Sequence, residues 1–490
     1  MRKDMRIVNH HYKKIWGGKT ELKREIGLMS GISMVVGTII GSGIFINTGQ
    51  VLLKSGSIAM FFIVWTTCGL LATIGALTFV ELGTIIPLSG GSYIYIMKGL
   101  GDIPAFLSAW ISVLITRPAQ ASIICKGCAQ YIISLFLTGN EVYYYKFLAE
   151  SFFSAALLCI LLYTNYKSVR WSLRIQNTLT WGKMLAIFII IIGGFYNLYL
   201  GKWKNLMLGF EHIEGTQSTP TSFPLAFYLC LFAFDGWNQL SLIVEEIQNP
   251  TRNLPLAICI GLPLVTILYV LTNISYLTVI SPTELYEKDA IALLWARRVF
   301  NFWGLENYAP IIMALFVAMS TFGSANGTIF STGRLMYSVG RNGHLPRILS
   351  FIHINNLTPS VSLIFSSMIS VIMVLFLDIE NLIDIFSFAQ WGIYGSAFLS
   401  CIVLRWKYRD VIRPFKVWII IPIIMTFLTL YLLVVPIITD PRAEYLYVIF
   451  CLSIGLVYYG PFVWKNITIP GSEHIVKTLQ KSGLNYSSTR

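Results

Sequence analysis

The stretch from Leu28 to Ile46 is apolar enough to cross a bilayer, yet GTIIGSGIF breaks it at its centre with Gly37, Gly41 and Gly43. Hydrocarbon offers no water to freed backbone groups, so an unwound segment there survives only where it lines a cavity or binds something. The half-helix that restarts after such a break turns unpaired N–H groups and a partial positive charge towards the cavity, which is the chemistry of anion capture. The competing reading is a small-residue face for helix packing.

A second break lies in LAFYLCLFAFDGWNQLSLIVEEIQNPTRNLPLA, where Asp235 and Gly236 fall near the middle of an apolar segment. A carboxylate at that depth is expensive, so by default it faces a cavity and serves function. The alternative is a cap for the half-helix that follows. Lys183, in TWGKMLA, is read as the other intramembrane charge, against the alternative of a lysine snorkelling to the interface. Asn238 and Asn326 stand beside the breaks, as site polar groups or as interhelical glue. Glu245, Glu246 and Arg252 flank the inner end of the second broken segment, where they would form a gate with loop charges or simply be solvated. The six histidines, at 10, 11, 212, 344, 353 and 474, lie in tails or loops and form no HExxH or similar cluster. No metal or cofactor is therefore expected, and a membrane enzyme has no visible site.

With 490 residues, 55% hydrophobic and only 12% charged, the chain has too little polar surface to cover a soluble core. Apolar windows of roughly 20 residues, long enough to cross about 30 Å of hydrocarbon, recur along it. They give twelve candidate spans, roughly at 28–48, 58–86, 104–137, 147–164, 175–200, 222–244, 254–280, 307–333, 359–377, 382–404, 415–437 and 443–464. The expected fold class is an all-α membrane protein, with a cytosolic tail at 1–27, a twelve-helix domain at 28–464 and a second cytosolic tail at 465–490. Breaks in spans one and six, five spans apart, are what a five-plus-five inverted repeat would produce, with two helices added at the C-terminal end. Placing both termini inside puts roughly 25 of the 36 basic residues on the cytosolic side, as the positive-inside rule requires. The net charge of +13 is thus a topology signal, and no nucleic-acid partner is inferred from it. A channel would want a continuous polar lining or charged rings, which these spans lack.

Six strings resemble the light chains of heteromeric amino acid transporters, in the APC superfamily. They are GISMVVGTIIGSGIF (31–45), GALTFVELGTIIPLSGGSY (75–93), FAFDGWNQL (232–240), EEIQNPTRNLPLAI (245–258), GSANGTIFSTGRLMYSVGRNGHLP (323–346) and RPFKV (413–417). The likeness covers roughly residues 20 to 465, and DGWNQL with FSFAQW places it closest to the b(0,+)-type branch, which exchanges cationic and neutral amino acids and cystine.

The resemblance implies a LeuT-like fold of the plasma membrane and sodium-independent exchange of amino acids. It implies that the substrate carboxylate sits on backbone amides of Thr38, Ile39, Ser42 and Gly43, and the ammonium on carbonyls of Ile39, Phe232, Ala233 and Asp235. Phe232 would be an aromatic gate, and Asp235 would receive a cationic side chain. Lys183 would occupy the place of a sodium ion, bridging the Gly37 carbonyl and the hydroxyls of Ser320 or Thr321. An L-type exchanger preferring neutral or aromatic substrates and a proton-coupled symporter are the alternatives, since a buried lysine changes its proton affinity readily. The family's partner is a single-span heavy-chain glycoprotein, joined through a cysteine in the second outside loop. Here that stretch, LFLTGNEVYYYKF (135–147), has none, with Asn140 near the expected place. A non-covalent partner, or none, remains open.

All eight cysteines (68, 125, 128, 159, 230, 259, 401 and 451) fall inside candidate spans. Non-reducing and reducing gels of native membranes should therefore show the same band, and a reducible shift to a much larger complex would refute this.

Overall fold

Because every backbone N–H and C=O at membrane depth must find a partner inside the protein, helix is the outcome of each apolar window. The computed structural model describes residues 26–88, 90–137, 143–167, 169–216, 222–288, 290–301, 304–353, 358–439, 441–465 and 484–485, and every predicted window carries helix. Asn140 and nearly all of both predicted tails lie outside the described residues.

The apolar helices run as α1 (Leu28–Ile39), α2 (Gly43–Ile46), α3 (Ile58–Ile85), α4 (Asp102–Ile133), α5 (Tyr143–Lys167), α6 (Val169–Tyr199) and α7 (Phe223–Ala233). They continue as α8 (Gln239–Leu242), α9 (Pro250–Val279), α10 (Ala309–Arg341), α11 (Ser360–Phe376), α12 (Ile379–Lys407), α13 (Ile420–Thr439) and α14 (Ala443–Tyr458). Among the described residues ten helices, with α1 and α2 taken together, are long and apolar enough to cross a membrane, and α7 and α11 are apolar but shorter. A two-residue antiparallel pairing of Ile352–His353 with Leu484–Asn485 is the strand content described.

Local chemistry explains where the elements depart from the windows. Within α4, Ser112–Thr116 widens into a π-turn, because Pro118 has no N–H to give the Leu114 carbonyl. The stretch between α9 and α10, which the windows leave as loop, folds into the short helices Pro282–Glu287 and Ile291–Phe300. The first opens on a capping box of Ser281 and Glu284. Glu284 also meets Arg298 of the second helix at 2.5 Å. The Arg298 hydrogen bond, aided by Ser281 and opposed by desolvation, holds the Glu284 carboxyl down at about 2. Such charged, short helices are invisible to a hydropathy window.

In the bundle α3 packs on α9, α4 on α10 and α5 on α11. Helices α13 and α14 present Phe427, Val434, Phe450 and Val457 outwards. Helix α14 attaches to α12 through Tyr445 against Phe388, and Arg442 just before it meets Asp384 of α12 at 2.5 Å.

One buried ion cluster ties α3 to the C-terminal end of α12 and the segment after it. Glu81 of α3 is wholly buried and accepts from Arg405 Nε at 2.8 Å and from the Val417 amide at 2.9 Å, with Arg413 at 3.6 Å. The RPFKV string thereby docks on α3. Breaking a buried pair from one side leaves uncompensated charge. Glu81→Ala should cost about 3–5 kcal/mol, seen as a lower melting temperature of the purified protein, and an unchanged melting temperature would show the cluster to be dispensable.

Candidate functional site

The first break begins where α1 stops at Ile39 and the Ile40 amide closes the last turn on Val36 at 3.0 Å. The chain bends through Gly41 and Ser42 before α2 restarts at Gly43. Among the described residues the amides of Gly41, Ser42, Gly43 and Ile44 donate to no backbone carbonyl. A Cβ on Gly43 would lie 2.4 Å from the Ala233 Cα, so glycine is what lets the two breaks touch backbone to backbone.

The second break runs from Phe234 to Asn238, between α7 and α8. Gly236 turns it at φ 113, a conformation other residues rarely adopt. Its carbonyl accepts from the Thr38 hydroxyl at 3.3 Å, and that hydroxyl also returns to Met34 at 2.7 Å. Tyr269 of α9 joins the two breaks, its hydroxyl lying 2.9 Å from the Ile39 carbonyl and 3.0 Å from the Ala233 carbonyl. A hydroxyl has one proton and each carbonyl two lone pairs, so acceptor capacity remains on both.

Between the breaks lies a cavity of about 40 Å³, lined by Thr38, Ile39, Ser42, Gly43, Phe232, Ala233 and Asp235, with Gln120 of α4 and Ser324 and Thr328 of α10. Phe232 meets Phe386 of α12 edge-on at 5.4 Å. Asp235 accepts from Gln120 Nε2 at 2.6 Å and from the Tyr394 hydroxyl at 2.7 Å. The breaks thus bring to the cavity both amide donors, from the first, and carbonyl acceptors, from Ile39 and Ala233, a combination that complements a zwitterion.

The structure brings Thr38, Ile39, Ser42, Gly43, Phe232, Ala233 and Asp235 together around this cavity. Asn238 does not line it; the residue is buried, its backbone carbonyl accepts from Ser241, and its Oδ1 has no partner among the described residues. Lys183 on α6 is completely buried and donates to the Gly37 carbonyl at 2.7 Å and to Ser324 Oγ at 3.2 Å. The hydroxyl is thus that of Ser324, one turn beyond Ser320 and Thr321. Ser320 is turned to the Gly41 carbonyl at 3.4 Å, and Thr321 bonds back to Val317 at 2.9 Å. Glu246 pairs with Arg334 of α10 at 3.5 Å, whereas the Arg252 side chain is exposed.

Lys183 and Asp235 are not alone as charges at depth, and this corrects the sequence reading. Arg117, Lys126 and Glu81 are buried within the helices too. The sequence reading also missed Gln120, Tyr394, Tyr269 and Ser324. The RPAQ string inside an apolar window signals Arg117 and Gln120; a tyrosine or serine in a span carries no such signal.

Residues 26–458 match the family described as amino acid permease. The chain belongs to that family. It is 44% identical to the b(0,+)-type amino acid transporter 1 of Mus musculus, over 93% of this chain and 92% of that protein. It is 39% identical to the cystine/glutamate transporter of Homo sapiens, over 94% and 90%. It is also 36% identical to the large neutral amino acids transporter small subunit 2 of Mus musculus, over 92% and 83%.

The Tyr269 hydroxyl spans the permease's two breaks, and that contact is testable. Tyr269→Phe leaves both buried carbonyls without that donor and should destabilise the purified permease by about 1–3 kcal/mol. A melting temperature equal to that of the parent chain would mean that the breaks are held elsewhere.

Proposed function

We propose that this chain is a sodium-independent amino acid exchanger, multi-pass in the plasma membrane, moving cationic and large neutral amino acids by alternating access. Lys183 carries the proposal. Its ammonium lies between the first broken segment and α10, bound to Gly37 and Ser324, where a coupling cation would otherwise hold the break. A fixed protein charge there removes the need for a bound sodium ion. The substrate carboxylate meets the amides after Gly41, and its ammonium meets the carbonyls of Ile39 and Ala233. Phe232 closes over it, and Glu246 with Arg334 forms the inner gate. The names of the mouse and human relatives support amino acids as the substrate class.

Counting α1 with α2, and α7 with α8, as one crossing each gives twelve spans. The packing of α3 on α9, α4 on α10 and α5 on α11 supports a five-plus-five inverted repeat in the LeuT-like manner, with α13 and α14 outside it. The transporter domain is 28–464, and the tails 1–27 and 465–490 are cytosolic, which rests on the basic excess of the inner segments. The mouse relative named as a small subunit supports a heavy-chain glycoprotein as partner, held here without a disulfide. A proton-coupled reading has one observation in its favour, since Lys183 has no acidic partner among the described residues.

The test is uptake of labelled leucine and arginine by the purified chain in liposomes. Internal amino acid should stimulate uptake strongly, and neither sodium replacement nor an imposed proton gradient should alter it. Equal uptake into empty vesicles would overturn exchange, and a proton-gradient dependence would favour the symporter.

A further inference from the structure

Behind the first break α2 is only four residues long, and the chain bends at Asn47 before it resumes as a helix over Thr48–Ser55. So short a turn does not hold itself, and its neighbours set its place. A bend of this kind deprives the preceding carbonyls of their next-turn amides. Here hydroxyls meet them. Thr48 Oγ1 lies 2.8 Å from the Ile44 carbonyl, and the Tyr131 hydroxyl of α4 donates to the Phe45 carbonyl at 2.7 Å. Tyr131 is wholly buried, roughly two turns beyond Ile124, and its ring meets Phe45 edge-on at 6.3 Å. Its oxygen also accepts from the Ala292 amide at 3.5 Å, in the first turn of the short helix Ile291–Phe300, which no side chain caps. That amide can only donate, so the hydroxyl proton belongs to Phe45. Asn47 Nδ2, 2.7 Å from the Leu229 carbonyl, ties the bend to α7 as well.

Resting on the exchanger reading, we infer that Tyr131, seconded by Thr48, is a positioning residue of the amino acid site. It lies outside the cavity, whereas Ser42 and Gly43, at the other end of the same turn, line it. What the hydroxyl fixes is the depth and tilt of α2, and with them the direction of the Ser42 and Gly43 amides, which donate to no backbone carbonyl among the described residues. Without it the buried Phe45 carbonyl is left bare, and α2 escapes that cost by turning towards another donor. The cavity then keeps its lining residues but is less often in the arrangement that receives a carboxylate, and apparent affinity falls by that fraction. Every amino acid carries the carboxylate, so the loss is the same whatever the side chain.

Equilibrium binding by the purified chain, read as ligand-induced thermal stabilisation with leucine and arginine, tests this without transport. Tyr131→Phe keeps the ring against Phe45 and removes one oxygen, so it should weaken both ligands by the same factor, about threefold to tenfold. Thr48→Val should act likewise at the Ile44 carbonyl, and Thr48→Ser, which keeps the hydroxyl, should bind as the parent does. A Tyr131→Phe chain that melts lower yet binds both amino acids with parent affinity would overturn the inference, because the hydroxyl would then serve the fold alone. A loss confined to one ligand would overturn it too, since that locates the effect at the substrate's side chain. Where Tyr131→Phe fails to fold, the Thr48 variants decide, and parent affinity in Thr48→Val overturns the inference. No stabilisation of the parent chain by either amino acid would sink the exchanger reading, and the inference with it, before any variant is compared. Absence of exchange in liposomes beside an equal loss of binding in the variants would sink the exchange reading alone.

Discussion

A bilayer supplies no water to an interrupted helix, and the rest of this structure depends on how that lack is met. Each break leaves polar backbone groups that would cost several kcal/mol apiece if bare in hydrocarbon. Three side chains from neighbouring helices take the place of solvent. Tyr269 reaches the Ile39 and Ala233 carbonyls, Thr38 reaches Gly236, and Lys183 reaches Gly37. Among the described residues the amides from Gly41 to Ile44 have no backbone partner, so unspent hydrogen-bonding capacity collects at one place. That imbalance makes the interior a binding site rather than a defect.

The buried charges show three different solutions to one energetic problem. Glu81 is neutralised outright by two arginines and an amide, which suits a joint that holds fixed elements together. Among the described residues Lys183 is met by a carbonyl and a hydroxyl, both on elements that frame the first break. Asp235 is hydrogen-bonded by neutral groups, the Gln120 side-chain amide and the Tyr394 hydroxyl.

How much of this the sequence discloses follows from the range of each signal. Hydropathy is a local sum over some twenty residues, and it places the apolar helices well. Glycines and an aspartate inside apolar runs likewise mark the breaks, because they contradict their own surroundings. The partners of those breaks are a different matter. Tyr269, Tyr394 and Ser324 look like ordinary span residues, and only the fold brings them to Ile39, Asp235 and Lys183. The choice of Ser324 over Ser320 is a matter of one helical turn, below the resolution of any pattern in the chain. Arg117 and Gln120 stood in plain view as polar residues in an apolar window and needed only the rule already applied to Asp235.

The distribution of strong and weak contacts also bears on movement. Glu81 with its arginines is sealed from water, where an ion pair resists separation. Glu246 and Arg334, at 3.5 Å and with side chains 28% and 46% exposed, form the kind of partly hydrated pair that typically contributes under about 1 kcal/mol. The hydroxyl contacts of Tyr269 and Thr38 are neutral hydrogen bonds worth about 1 kcal/mol each. An element that must change position between two states cannot be tied by its strongest bonds, since a ligand shifts an equilibrium only by its differential affinity for the two states. The broken segments are joined by weak, exchangeable contacts, whereas α3 and the C-terminal end of α12 are locked by the Glu81 cluster. On the exchanger reading this assigns the moving parts to the breaks, and the fixed frame to the helices that Glu81, Arg405 and Arg413 bind together.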